Sequence, residues 1–189
     1  MSNIERNLYI SQFIRVISTF VILYALDIPL YCKILLIMVL DSLDCTTLHN
    51  ILLGRTNWVN CRNMTYQISD KITDIICYSI LLYYTINHGG LSKNENCILF
   101  ILFIYRVIGT IIFITKKDRK YLFFFPNFFL EITLGLMVIK HHTNLKKYKK
   151  EIIILIILYK IAQEYIMHYN NMQLYYIIDK IYKSIKEYL

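Results

Sequence analysis

Four aspartates stand at the edges of very apolar stretches: Asp41 and Asp44 in "LDSLDC", and Asp70 and Asp74 in "SDKITD". An ionised carboxylate beside hydrocarbon is costly unless it is paired, so ionisable residues at such positions mark function by default. On a helix, residues three or four apart share a face at about 5–6 Å. Asp41 with Asp44, and Asp70 with Asp74, therefore each make one acidic edge. Brought together, the carboxylates repel one another, and hard divalent cations relieve that repulsion. Mg²⁺, Mn²⁺ and Ca²⁺ take oxygen ligands, and Mg²⁺ commonly shares its shell with substrate phosphates. Two such ions can clamp a diphosphate while one carboxylate acts as base toward an attacking hydroxyl. The alternative is hydrated carboxylates at headgroup level, facing Lys71 or Arg62.

The elements that must position these residues read as membrane spans. The chain has 189 residues, 57% of them hydrophobic and only 18% charged, against roughly 25% charged in soluble domains. Its mean hydropathy is +0.45. A span needs about 20 mainly apolar residues, and six segments approach that length. The first runs from Tyr9 toward Asp27. The second opens at "DIPLYCKILLIMVL", where Asp27 suits a cap and Pro29 a first-turn position. A polar stretch, "HNILLGRTNWVNCRNMT", separates it from the third, which begins near Tyr66 and runs to the Gly89-Gly90 turn. The fourth, "CILFILFIYRVIGTIIFIT", ends at the basic loop "KKDRK". The fifth runs from Tyr121 to Ile139, with Pro126 near its start. The sixth, "IIILIILYKIAQEYIM", follows a second basic loop.

The predicted fold is thus an all-α, polytopic six-span bundle over residues 1–169, with an amphipathic helix over 170–189. In that tail Ile177, Ile178, Ile181 and Ile185 recur at helical spacing opposite Lys180, Lys183 and Lys186, which suits a membrane surface. The net charge of +8 is clustered between apolar runs, a pattern that points to anionic headgroups and not to nucleic acid. An inside N-terminus puts more Lys and Arg on the cytoplasmic side, although the Lys146–Lys150 cluster runs against it. The scattered cysteines, Cys32, Cys45, Cys61, Cys77 and Cys97, include no C-x-x-C pair and read as apolar thiols.

The D-x-x-D of "DSLD" followed by the D-x-x-x-D of "DKITD", on consecutive spans, resembles the CDP-alcohol phosphatidyltransferases. Their pattern is D-x-x-D-G-x-x-A-R, a spacer, then G-x-x-x-D-x-x-x-D. The resemblance implies that Asp41, Asp44 and Asp70 are metal ligands, and that Asp74 both touches metal and serves as catalytic base. It implies two Mg²⁺ or Mn²⁺ ions, a CDP-diacylglycerol donor and a small alcohol acceptor, inositol or a glycerol phosphate. It further implies a homodimer, with the site facing the cytoplasm. Cys45, Leu48, His49 and Tyr66 stand where the pattern has Gly, Ala, Arg and Gly. His49 or Arg55 could supply the displaced positive charge.

Arg106 lies mid-span in "FIYRVIG" and needs a partner or a polar cavity. It is placed to bind the acceptor's phosphate or polar head, or to pair with Glu131 or Glu164. Arg15, in "QFIRVIS", is shallower, able to face a nucleotide or to snorkel. Lys160 and Glu164 are spaced to pair on one helix, and His141-His142 read as a solvated loop. The substituted Gly, Ala and Arg positions motivate a rival reading, a catalytically impaired relative acting as a lipid-binding or scaffold protein. A third reading, an ion transporter, requires aspartates spread through membrane depth.

Overall fold

The computed structural model describes residues 3–43 and 64–166, and no strand occurs among them. The helices are α1 (Asn3–Ala25), α2 (Leu30–Leu43), α3 (Met64–His88), α4 (Lys93–Lys116), α5 (Lys120–Phe124), α6 (Phe128–His141) and α7 (Lys149–Glu164). A 3₁₀ turn, Thr143–Tyr148, links the last two. Asp44, Cys45, Leu48, His49, Arg55 and Cys61 lie outside the described residues, as does the tail 170–189.

Three stretches are long and apolar enough to cross a bilayer: Leu8–Ala25, Lys93–Lys116 and Lys120–His141. These correspond to the first, fourth and fifth predicted segments. Within the described residues, α2 has 14 residues and α7 has 16, about 21 and 24 Å at 1.5 Å per residue. Helix α3 has the length, 25 residues, but carries Asp70, Lys71 and Asp74.

The core gathers Leu23 of α1, Ile34 and Ile37 of α2, Tyr78 and Leu81 of α3, Leu99 of α4, and Phe129 and Leu136 of α6. Helix α6 packs on α2, α4 and α7, while α1 packs on α2 and α3. The outward faces stay apolar: Phe13, Phe20, Ile101, Ile111, Leu155 and Leu158 are all exposed. A helix bundle with exposed apolar residues on its outside matches a lipid-facing surface.

Helix ends are satisfied by side chains, as the unpaired backbone groups there require. Ser92 and Glu95 form a capping box at the start of α4. Lys33 donates to the Leu23 carbonyl at 2.7 Å, within the last turn of α1. Lys140 donates to the carbonyls of Gly89 and Gly90, each at 2.6 Å, and Gly90 makes the turn possible with a φ of 57°. Pro29 stands just ahead of α2, its carbonyl accepting from Cys32 and Lys33, one position earlier than the sequence reading placed it.

The fifth predicted segment is not one continuous helix. It breaks at Phe125-Pro126-Asn127 between α5 and α6, because proline donates no N–H and crowds the preceding turn. The break exposes carbonyls that hydrocarbon cannot satisfy. Arg106 Nη1 donates to the Phe125 carbonyl at 2.8 Å, and the Tyr105 hydroxyl donates to that of Phe124. Gly109, one turn beyond Arg106, lets this elbow approach: a β-carbon there would lie 2.1 Å from Phe125 Cβ.

Candidate metal centre

Helix α1 presents a polar stripe inward. Ser11, Gln12, Arg15 and Thr19 are all buried, and their spacing puts them on one face. Helix α3 answers with Gln67, Asp74, Cys77 and Tyr78, also buried. Thr19 Oγ1 is 3.5 Å from Cys77 Sγ and donates to the Arg15 carbonyl at 2.9 Å. This face-to-face packing carries the Arg15 guanidinium to the place where α2 ends and α3 begins.

There it meets the aspartates. Arg15 Nη1 lies 2.9 Å from Asp70 Oδ1, and Nη2 contacts the Oδ1 atoms of both Asp41 and Asp74. The planar guanidinium suits such multidentate binding, since its donors form a fixed fork. Lys71 adds a second cation, with Nζ 2.7 Å from Asp70 Oδ2 and 2.7 Å from Asp74 Oδ2. Asp41, on α2, thereby joins Asp70 and Asp74, on α3, and the three carboxylates offer oxygens within 4.8 Å of one another.

An all-oxygen donor set at this spacing fits a hard divalent cation. The cluster is graded in exposure: Asp74 is 2% exposed, Asp70 15% and Asp41 30%. Arg15, at 2%, closes the buried side, whereas Lys71, at 18%, sits toward the open side.

A polar chain leads inward from the carboxylates. The Tyr78 hydroxyl reaches Asp41 Oδ2 at a long 3.4 Å and accepts from Asn127 Nδ2 at 2.8 Å. The Asn127 backbone N–H donates to Glu164 Oε1 at 3.2 Å. Lys160 closes the chain, 2.6 Å from Glu131 and 3.3 Å from Glu164. The expected Lys160–Glu164 pair is therefore present, with Glu131 as the nearer partner.

Of the predicted site residues, Asp41, Asp70 and Asp74 come together, whereas Asp44, His49 and Arg55 lie outside the described residues. Arg106 is buried and donates to the Phe125 carbonyl, while Lys160 holds both Glu131 and Glu164. Arg15 does not snorkel; it is the centre of the cluster. Arg15, Lys71, Tyr78 and Asn127 are additions to the predicted set. The signal for Arg15 was present in the sequence, since Ser11, Gln12, Arg15 and Thr19 make one polar stripe in an otherwise apolar helix.

Comparison with protein-family models, with curated proteins and with solved structures finds no match. The functional reading therefore stands on the residues and their arrangement.

Proposed function

We propose that this chain is a six-span membrane phosphotransferase that moves a phosphatidyl group from CDP-diacylglycerol to a small alcohol and releases CMP. The observation that carries this reading is the meeting of Asp41 with Asp70 and Asp74, from two helices, within 4.8 Å. Carboxylate oxygens that close, drawn from two helices, can share a hard divalent ion, which is what the resemblance to the CDP-alcohol phosphatidyltransferases implies, and they sit among helices with apolar outer faces.

Bound divalent ions, Mg²⁺ or Mn²⁺, would supply positive charge against the diphosphate as it breaks. Asp41, Asp70 and Asp74 would hold them. Arg15 fixes the three carboxylates at once, and so sets the geometry before any ion arrives. Asp74 Oδ2 is the oxygen assigned to take the proton from the alcohol. The alcohol oxygen then bonds to the phosphatidyl phosphorus, and the P–O bond to CMP breaks with its electrons leaving on CMP.

The test uses the full chain in lipid nanodiscs with CDP-diacylglycerol, Mn²⁺ and either inositol or glycerol 3-phosphate. CMP release is expected, and Asp74→Asn should lower it by about 10²–10⁴-fold, the usual worth of a general base. Full activity in that variant, or no release from the native chain with either acceptor, would contradict the reading.

One observation favours a second reading, a lipid-binding relative that does not turn over. Arg15 and Lys71 already compensate the carboxylates from within the chain. That reading predicts Mn²⁺-dependent binding of CDP-diacylglycerol with no CMP formed.

A further inference from the structure

We propose that Lys71 is a tethered counter-ion, holding the cation position of the cluster until a divalent ion displaces it. This rests on the reading of Asp41, Asp70 and Asp74 as a cation site. Arg15 and Lys71 divide the α3 carboxylates by atom: Arg15 takes the Oδ1 oxygens of Asp70 and Asp74, and Lys71 takes the Oδ2 oxygens at 2.7 Å each. The two cations differ in their freedom to leave. Arg15 is 2% exposed and bound from two helices, whereas Lys71 is 18% exposed and, among the described residues, bound by carboxylates of its own helix. Lysine carries a compact charge on a flexible stem and can turn its head toward water while the stem stays packed.

The charges support the exchange. Arg15 and Lys71 together offset two of the three carboxylates. With Lys71 turned outward, the negative charge it offset is left for the first divalent ion to enter. The same movement frees the Oδ2 oxygens of Asp70 and Asp74 for the entering ion. The aspartates are thus neutralised within the bundle before the ion arrives, which lowers the cost of burying them.

The experiment measures Mn²⁺ affinity by electron paramagnetic resonance, on the full chain in phosphatidylcholine nanodiscs, for the native protein, Lys71→Met and Lys71→Gln. Loss of the tethered competitor should tighten Mn²⁺ binding about tenfold, the scale of one charge-assisted contact. Both variants should melt lower than the native chain without Mn²⁺ and recover with it. A variant that folds only with the ion is purified in Mn²⁺, and its affinity is read by chelator competition. Native Mn²⁺ binding that is unchanged or weakened in both variants overturns the tethered-ion proposal and leaves the cation site standing. No Mn²⁺ binding by the native chain or either variant overturns both.

Discussion

Arg15 binds three carboxylates drawn from two other helices, so its removal leaves like charges facing one another with one buried counter-ion fewer. Breaking a buried ion pair from one side typically costs 3–5 kcal/mol, and Arg15→Leu is expected to lose about that much stability in thermal or denaturant unfolding. Arg15→Lys keeps the charge but not the fork, and should lie between the two. An Arg15→Leu variant as stable as the native chain would show that the cluster is not held from α1. At this scale the acidic residues were legible and their partner was not. Asp41, Asp70 and Asp74 stand out because carboxylates are rare among apolar runs. A single arginine in an apolar helix is equally compatible with snorkelling, and only the neighbouring Ser11, Gln12 and Thr19 reveal which way it faces.

The element that most shapes the interior is the elbow between α5 and α6. Pro126 interrupts the helix, Arg106 takes up the Phe125 carbonyl, and Gly109 admits the Phe125 side chain. Gly109→Leu would place a β-carbon 2.1 Å from Phe125 Cβ. Overpacking of that kind costs about 1–3 kcal/mol, and a lowered melting temperature is the expected readout; an unchanged one would mean that the elbow yields freely. The fifth segment was legible as a span from its apolar length, and Pro126 was visible near its start. The division into two helices follows from Pro126, but what satisfies the freed carbonyls, Tyr105 and Arg106 nineteen residues away, has no local signature.

For the whole molecule, the length of α4 puts Cys97, near its start, and Lys117, at its C-cap, at opposite ends of the helix. If α4 crosses the bilayer, a membrane-impermeant maleimide should label Cys97 and a Lys117→Cys substitution from opposite sides of oriented vesicles, while buried Cys77 stays protected. Labelling of both from one side would rule out that crossing. The helical class and the membrane-compatible helices followed from hydropathy alone. The third and sixth segments depart from a plain apolar span: the third carries Asp70, Lys71 and Asp74, and the sixth buries Lys160 and Glu164 while its apolar residues face outward. If carboxylates from two helices act as one cation site, a double-mutant cycle on Mn²⁺ affinity will read their coupling. Asp41→Asn and Asp74→Asn should each abolish most of the binding, and the double variant should lose scarcely more than either alone, as expected for groups that share one ligand. Losses that simply add, or native Mn²⁺ affinity in Asp41→Asn, would contradict it.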